Sequence, residues 1–186
     1  IAPATVTAWL AGHPAQEVKP DHPACREALE STRLRIETML AIDGTPPVDS
    51  FHRELGAVMI DRCGISRNAD GLREGIAQVN ALEQRFQAEV RVPGESQGPN
   101  AELEKALRVG DFFGLAQLML RDALAREESC GAPFPAEHQS PAGEARRDDV
   151  NFAHIAAWEH QDGAHPIRHS ETLQFTALQP STRSYR

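Results

Sequence analysis

The sequence predicts a mainly α fold: an antiparallel three-helix bundle (spectrin-repeat-like) with an extra N-terminal helix and a C-terminal extended arm plus β-hairpin. Three stretches place apolar residues three and four positions apart, which puts them on one face of a helix. Glycine, proline and asparagine stand between the stretches, where helices end and begin. After residue 129 the helical spacing stops. We therefore expect a terminal helix with a linker (1–22), a helical bundle domain (23–129), and an arm with a β-hairpin (130–186).

The composition is that of a folded protein without a nucleic-acid partner. Of the 186 residues, 40% are hydrophobic and 25% are charged, which suits one globular domain or one domain with a tail. The net charge of −8, with no dense stripe of Lys and Arg, argues against nucleic-acid binding. No apolar run approaches the ~20 residues that span a bilayer. The chain begins with Ile1 rather than methionine, and we interpret it as a piece of a longer protein.

The cysteines and glycines spell no cofactor site. Cys25, Cys63 and Cys130 are widely spaced, so neither a thiolate zinc site nor an iron–sulfur site is expected. Their odd number indicates reduced thiols and a cytoplasmic protein. No Gly-x-Gly-x-x-Gly segment or other phosphate-binding loop occurs, so these residues are not expected to bind a nucleotide.

Two helices are predicted before the bundle. Residues 3–11 begin with Pro3 and suit a terminus with one or two exposed helical turns. Residues 12–22 are a polar linker with two prolines. Pro23 then opens a helix that we expect to run to about Ile42, where residues 43–47 break it. The apolar positions of this helix share one face and are Cys25, Leu29, Ile36, Met39 and Leu40.

The first helix of the bundle begins near residue 51. We expect Asp49 or Ser50 to cap it through a side-chain oxygen. Gly64 is expected to end the helix with a positive φ, and Asn68 to cap the helix that follows. The apolar side chains of this first helix recur at helical spacing and are Phe51, Leu55, Val58, Met59 and Cys63.

The second and third helices complete the predicted bundle. The second is expected from Ala69 to about Val90, where Pro93 follows, and the third from Ala101 to about Glu127, with Asn100 as its cap. On the third helix we expect an inner side made by Leu103, Leu107, Phe112, Leu115, Leu118, Met119 and Ala123. The predicted core of the whole bundle is Leu55, Val58, Met59, Leu72, Ile76, Val79, Leu82, Phe86, Leu107, Phe112, Leu115 and Met119.

The tail is expected to form an arm and a hairpin. Residues 130–150 contain three prolines and two glycines and suit an extended arm. We predict strands at 151–160 and 169–178, joined by a turn at Asp162 and Gly163. Because one two-stranded hairpin is marginal alone in water, its apolar side chains must dock on another surface. These side chains are Phe152, Ile155, Trp158, Leu173 and Phe175.

Three clusters contain side chains that could carry chemistry, and each also has a structural interpretation. His160, His165 and His169 with Asp162 contain metal-ligand side chains, but histidines in a hairpin turn are usually solvated. Residues 146–149, Arg-Arg-Asp-Asp, suit a salt-bridged surface turn better than an anion site. Residues 127–130 suit a helix end, because no base is placed to activate Ser129 or Cys130. The sequence therefore gives no catalytic, cofactor-binding or metal-ligating residue in these 186 positions.

An ordered set of short segments also carries a resemblance. The chain resembles the helical domain and tail of the flavoprotein subunit of succinate dehydrogenase and fumarate reductase. The matching segments are 51–56, 58–59, 63–64, 67–68, 90–94, 103–106, 121–124, 128–131, 144–145, 147–149, 151–153, 156–159 and 183–185. One departure follows Cys130, where the family pattern Gly-Gly-His-Phe-Arg is replaced by Gly131, Ala132, Pro133, Phe134 and Pro135.

The resemblance implies a structural piece of a larger enzyme, in which residues 1–22 are the end of the last helix of the flavin-binding domain and a linker. Such a subunit interconverts succinate and fumarate with covalently bound FAD and passes electrons to an iron–sulfur subunit attached to a membrane anchor. The family's flavin attachment histidine, substrate-binding residues and proton-shuttling arginine all lie upstream, so no functional residue carries over to this chain. The implied partners are the upstream flavin and capping domains, the iron–sulfur subunit and, indirectly, the membrane anchor. The implied location is peripheral, on the cytoplasmic face of the inner membrane.

Two other classes of protein stay open. One is a flavoenzyme of the L-aspartate oxidase kind, whose helical tail is related but usually stops soon after the segment that matches 128–131. The other is an independent helical interaction module with no flavin domain. A Rossmann-type glycine motif in the reading frame upstream of Ile1 would favour the enzymes, whereas a start codon there would favour the module.

Overall fold

The computed structural model describes residues 2–13, 19–161, 165–178 and 180–181. The chain forms two compact units, Ile1–Thr38 and Met39–Arg186. The division into 1–22, 23–129 and 130–186 stays a prediction. The mainly α fold with a small antiparallel hairpin is confirmed. None of the helices in the described ranges is both long enough and apolar enough to cross a bilayer.

The first unit holds helix α1 (Ala2–Gly12) and most of helix α2 (Pro23–Leu40). The expectation of only one or two turns at the terminus is wrong, because α1 has 11 residues. At its C-terminal end the Trp9 ring stacks on His13 with centroids 4.3 Å apart, and His13 Nδ1 lies 2.8 Å from the Trp9 carbonyl oxygen. No residue of α2 is buried, and Leu29 of its predicted apolar stripe is 70% exposed.

The bundle consists of α3 (Val48–Arg62), α4 (Ala69–Glu89) and α5 (Ala101–Ala125), each in contact with the other two. A chain of aromatic rings joins all three helices at the centre. Phe51 meets Phe86 edge to face at 5.3 Å, and Phe86 meets Phe113 at 5.3 Å. All three rings are almost fully buried. Aromatic contacts of this kind fix the spacing of the helices as well as burying apolar area.

Both ends of α3 differ from the prediction. Its N-cap is Pro47, which has no side-chain donor or acceptor, whereas Asp49 and Ser50 lie inside the first turn. Ser50 Oγ donates to the Pro47 carbonyl at 2.7 Å, and Asp49 makes an ion pair with Lys105 of α5. Gly64 does not have a positive φ. A Cβ at Gly64 would lie 2.6 Å from the Ile60 carbonyl oxygen, so glycine is needed there for close approach and not for a left-handed turn.

The caps of α4 and α5 are confirmed. Asn68 Oδ1 accepts the Gly71 N–H at 2.7 Å, and Asn100 Oδ1 accepts the Leu103 N–H at 3.0 Å. The Asn100 side chain also donates to the carbonyls of Pro93 and Glu95, both at 3.1 Å, so it ties the preceding loop to the helix start. Asparagine caps are local features, which is why the sequence predicts them well.

The predicted inner side of α5 is wrong in register. Leu115 and Met119 are 55% and 49% exposed. The buried side of α5 is instead Leu103, Ala106, Val109, Phe113, Ala116, Leu120 and Ala123. Small residues on this side let the helices approach closely: a Cβ at Gly75 of α4 would lie 2.9 Å from Leu120 Cδ2. The predicted face is rotated toward Leu115 because the prediction favours large apolar side chains, whereas three of the buried residues are alanines.

Apart from Leu115 and Met119, the predicted core residues are mostly buried on α4 and mostly half-buried on α3 and α5. Five of its members are buried, namely Leu55, Leu72, Val79, Leu82 and Phe86. Five others are only half-buried, namely Val58, Met59, Ile76, Leu107 and Phe112. The half-buried residues of α3 and α5 border the exposed side that Leu115 and Met119 occupy, so the same face of the bundle is left uncovered.

The arm is held by short strands that the sequence did not indicate. Strand β1 (Ser66–Arg67), which follows α3, pairs in parallel with β2 (Phe134–Pro135). The Phe134 N–H donates to the Ile65 carbonyl and the Ala136 N–H to the Arg67 carbonyl, both at 2.8 Å. Pro135 faces Arg67 at a position from which no N–H is required, which explains why proline is tolerated there.

The hairpin is shorter than predicted. One turn of helix, α6 (Asp149–Phe152), precedes strand β3 (His154–Glu159), which pairs antiparallel with β4 (Ile167–Thr172). Asp148 caps α6 by accepting from the Asn151 side chain and backbone, and these bonds lower the pKa of its carboxyl group. Strand β4 ends at Thr172, which lies opposite His154 at the start of β3, and not at residue 178 as predicted. Just beyond the paired strands, the Leu173 N–H donates to the Ala153 carbonyl at 2.8 Å. The predicted turn at 162 and 163 lies outside the described residues.

Candidate docking surface

A buried ion pair fastens the end of α5 to the arm. Glu128 is 2% exposed, and its carboxylate binds the Arg126 guanidinium and accepts the Asp148 N–H at 3.0 Å. Arg126 also donates to the carbonyls of Phe152 and His154 at 3.3 and 3.2 Å. These contacts join the end of α5 to the start of the hairpin. Arg126 and Glu128, which are close in the sequence, thus hold the distant residues Asp148, Phe152 and His154.

Ser129 is part of the same fastening. It is fully buried, its hydroxyl donates to the His138 carbonyl at 2.6 Å, and its N–H donates to the Arg146 carbonyl at 2.9 Å. A hydroxyl engaged in this way is a structural group.

Asp122 of α5 anchors the hairpin to the bundle. Its Oδ1 accepts Trp158 Nε1 at 3.2 Å and Arg168 Nε at 3.3 Å. Trp158 and Arg168 are directly paired across β3 and β4, so one carboxylate holds both strands. Along β3 the side chains alternate between half-buried and exposed, which places Trp158 on the inner face and leaves Ile155, 55% exposed, outside.

A cleft opens where the hairpin meets the bundle. It has a volume of about 460 Å³, and its lining includes Cys63, Arg67, Leu115, Met119, Pro133 and Trp158. We call it the hairpin cleft. A second hollow of about 210 Å³ lies between α3 and α5 and shares Leu115 and Met119 with the cleft. The two hollows form one apolar surface on the side of α5 that the sequence had assigned to the core.

The electrostatics of the hairpin cleft centre on Arg67. Asp122 and Arg126 also line the cleft, but Asp122 is paired with Arg168 and Arg126 with Glu128. Arg67 Nε is buried and has no hydrogen-bond partner in the part of the chain that the structure describes. Burial raises the pKa of the adjacent Cys63 thiol, and the Arg67 charge opposes that rise only in part.

The candidate metal cluster is not assembled by the described residues. His169 Nε2 lies 2.7 Å from Glu159 Oε2 across the hairpin, and Asp162 falls outside the described residues. Across the described ranges, no three His, Cys, Asp or Glu side chains come together as a metal site would require. The Arg-Asp-Asp segment is a salt-bridged turn, as expected, in which Arg147 binds Asp149 and Asp148 caps α6.

Sequence reasoning missed Arg67, Asp122 and Arg126. Arg67 and Asp122 lie in segments that match the family, and Arg126 lies between two such segments. A charged side chain among the apolar positions of a helix is a usable signal, because a buried or half-buried charge needs a partner. Asp122 lies next to the buried Ala123 on α5, and Arg126 follows directly after the end of that helix.

Comparison with known proteins decides the family. The model of the family described as "Fumarate reductase flavoprotein C-term" matches residues 52–185, which is most of the chain. The chain belongs to this family. The match covers the bundle, the arm and the hairpin together, which agrees with the ordered set of segments found in the sequence.

The relatives are much longer than this chain. The fumarate reductase flavoprotein subunit of Serratia sp. (strain ATCC 39006) is 30% identical over 192 aligned positions, covering 100% of this chain and 31% of the relative. A solved structure of quinol-fumarate reductase with menaquinol molecules matches with a TM-score of 0.73 at 26% identity, covering 97% of this chain and 29% of that one. The chain thus spans about a third of the length of the relatives it matches.

A relative with another activity also matches. L-aspartate oxidase 2 of Ralstonia nicotianae is 29% identical over 140 residues, covering 73% of this chain and 24% of the relative. The alternative raised from the sequence therefore has support of its own, at lower coverage of this chain.

The starts of the three bundle helices do not fit the diphosphate of the FAD that the flavoprotein family implies. A dinucleotide diphosphate needs free N–H groups at a helix start, where acidic side chains repel it. At the start of α4 the Ala69 N–H already donates to Glu137 at 2.8 Å, and at the start of α5 the Leu103 N–H donates to Asn100. The first turn of α3 carries Asp49. An FAD site is therefore not formed by these helix starts.

Proposed function

We propose that this chain is the C-terminal part of a longer flavoprotein subunit that interconverts succinate and fumarate. The observation that carries the proposal is the family match over residues 52–185, together with a structural match that covers 97% of this chain and 29% of a chain of quinol-fumarate reductase. The remainder of the longer protein would bind FAD and the substrate. Electrons would pass from the flavin to an iron–sulfur subunit and through it to a membrane anchor.

The role of the chain itself is structural. The contacts that support this are the buried Arg126–Glu128 pair, the Ser129 hydrogen bonds and the Asp122 anchor, all of which tie elements of this chain to one another. They engage the carboxylates of Glu128 and Asp122 and the hydroxyl of Ser129 in hydrogen bonds within the chain. The bundle would brace the flavin and capping domains and offer surface to the iron–sulfur subunit. Attachment to that subunit would keep the protein at the cytoplasmic face of the inner membrane.

The test is an assay of the longer protein that contains this chain. It is purified, its bound flavin is measured, and electron transfer from a reduced dye to fumarate is followed with and without residues 1–186. We expect the longer protein to carry about one FAD and to reduce fumarate, and the truncated form to lose activity. A longer protein without flavin, or a truncated form with full activity, would contradict the proposal.

L-aspartate oxidation is the second candidate, because the match to L-aspartate oxidase 2 covers 73% of the chain. The same preparation separates the two activities. Oxidation of L-aspartate with release of hydrogen peroxide in oxygen, without fumarate reduction by the dye, would favour the oxidase. An independent helical module, the third possibility, is tested by the reading frame upstream of Ile1.

A further inference from the structure

We propose that the hairpin cleft binds a segment from the remainder of the longer polypeptide, through a carboxylate on Arg67 and apolar side chains over Leu115 and Met119. This inference rests on the proposed function only in requiring that the chain be part of a longer protein. It goes beyond the proposed function by naming the surface, which is the hairpin cleft, the charged residue, which is Arg67, and the chemistry of the segment, which is a carboxylate with apolar side chains.

The charge balance of the cleft is incomplete. Two guanidinium groups line it, those of Arg67 and Arg126, and Arg126 is paired with Glu128. The Asp122 carboxylate also lines the cleft and is paired with Arg168. Arg67 has no carboxylate partner among the residues that the structure describes, and its buried Nε–H has no acceptor there. A buried donor without an acceptor destabilises a protein, and a partner that supplies the acceptor recovers that free energy. A carboxylate satisfies both the charge and the donor, since Arg matches carboxylate geometry.

The apolar lining is also incomplete. Leu115 is 55% exposed and Met119 49% exposed, side by side one helical turn apart, and both border the cleft and the adjoining hollow between α3 and α5. Contiguous exposed apolar surface of this kind usually marks an interface. Methionine adapts its shape to an incoming side chain, which suits a surface that is covered after the bundle has folded.

The remainder of the same polypeptide is the occupant that fits these features best. Because the chain spans only 31% of its Serratia relative, a relative of that length has about twice as much again to cover this surface. A segment of the same polypeptide is held at high effective concentration, so a modest cleft is sufficient for binding. A second copy has no such advantage, because it would have to reach the cleft by association between separate molecules and therefore at a much lower effective concentration.

Cys63 supplies the readout, because its thiol lies in the cleft beside Arg67. The rate of alkylation of Cys63 by iodoacetamide is measured by peptide mass spectrometry in the 186-residue chain and in the longer protein. We expect the rate to be at least tenfold lower in the longer protein, since the bound segment covers the thiol. For every variant, the rate in the longer protein is divided by the rate in the 186-residue chain. This ratio cancels any effect of the substitution on the intrinsic reactivity of the thiol.

Arg67→Gln in the longer protein should remove most of this protection. Because Arg67 lowers the pKa of the Cys63 thiol, its replacement should raise that pKa and leave less thiolate. Faster alkylation of the variant therefore cannot result from greater ionisation of Cys63. Arg108→Gln is the matched control, because Arg108 is an exposed arginine on α5 that does not line the cleft. Leu115→Ser is a second variant, since truncating an exposed side chain leaves the bundle folded. It should also restore alkylation.

Three results would overturn the inference. The first is equal alkylation of Cys63 in the chain and in the longer protein. The second is protection in the chain alone that increases with its concentration, which would make a second copy the occupant. The third is protection of the chain alone by succinate, which would make the cleft a small-anion site. If the longer protein contains no flavin but Cys63 is still protected, only the proposed function is contradicted. If the longer protein contains flavin but Cys63 reacts as fast as in the 186-residue chain, only this inference is contradicted.

Discussion

At the scale of single residues, α5 shows that large side chains do not always define the buried face. Its inner side is made by Ala106, Ala116 and Ala123 as much as by Phe113 and Leu120. Small residues give up apolar area of their own but let neighbouring helices pack closely. Leu115 and Met119 then remain on the other flank of α5, where they are 55% and 49% exposed among the described residues.

A pair of leucine substitutions tests this register. Leu120→Ala should lower the free energy of unfolding by about 2–5 kcal/mol, because Leu120 is fully buried and truncation leaves a cavity. Leu115→Ala, the same chemical change on the exposed flank, should cost less than about 1 kcal/mol. Urea denaturation of the two variants measures both values. Equal losses would show that the buried side of α5 has been assigned wrongly.

The buried pair at the end of α5 gives a second prediction. Glu128→Ala should destabilise the chain by about 3–5 kcal/mol, since it leaves the Arg126 charge and the Asp148 N–H without their partner. Glu127→Ala is the control, because Glu127 is exposed, and its effect should be within about 0.5 kcal/mol. A difference in unfolding free energy below about 1 kcal/mol between the variants would rule out the structural role of Glu128.

At the scale of elements, the closeness of α4 and α5 depends on Gly75. Adding a Cβ there would bring it within 2.9 Å of Leu120 and 2.8 Å of Arg62, so Gly75→Ala should destabilise the bundle by about 1–3 kcal/mol. Gly114→Ala is the matched helical control, because nothing lies within 4 Å of its new Cβ, and it should stabilise by about 0.5–1 kcal/mol. Thermal unfolding should therefore move in opposite directions for the two variants.

Asp122 is predicted to govern the docking of the hairpin. Asp122→Ala removes the acceptor shared by Trp158 and Arg168, so amide exchange should speed up across β3 and β4 while α4 keeps its protection. Glu171→Gln, on the exposed face of β4, should leave the pattern unchanged. Exchange of the unmodified chain within seconds across 151–178, independent of concentration, would mean that the hairpin has no docking partner at all.

The elements that the sequence predicts well are those set by local chemistry. Asn68 and Asn100 cap their helices where expected, because a cap depends on residues within one turn. The pairing of β1 with β2 joins residues 66–67 to residues 134–135, and no local pattern announces it. Likewise, the end of β4 at Thr172 is set by where its partner strand begins. The hairpin cleft depends on both of these non-local pairings, so the sequence alone could name its residues but not bring them together.

At the scale of the whole molecule, the chain is well fastened internally and incompletely covered on one side. The Arg126–Glu128 pair, the asparagine caps and the Asp122 anchor connect the bundle and the tail through contacts within the chain. Leu115 and Met119 are exposed, and the buried Arg67 Nε has no hydrogen-bond partner among the described residues. The proposed docking of a segment of the longer polypeptide would cover this side.

The most direct test of this account is a measurement of flavin binding by the purified 186-residue chain. The visible absorbance is recorded as purified, and FAD is then titrated while its fluorescence is followed. We expect no flavin absorbance and no saturable binding, because the starts of α4 and α5 are occupied by side-chain acceptors and the first turn of α3 carries an acidic residue. A yellow protein, or saturable FAD binding by the chain alone, would contradict the proposal that these residues form a structural domain of a longer flavoprotein.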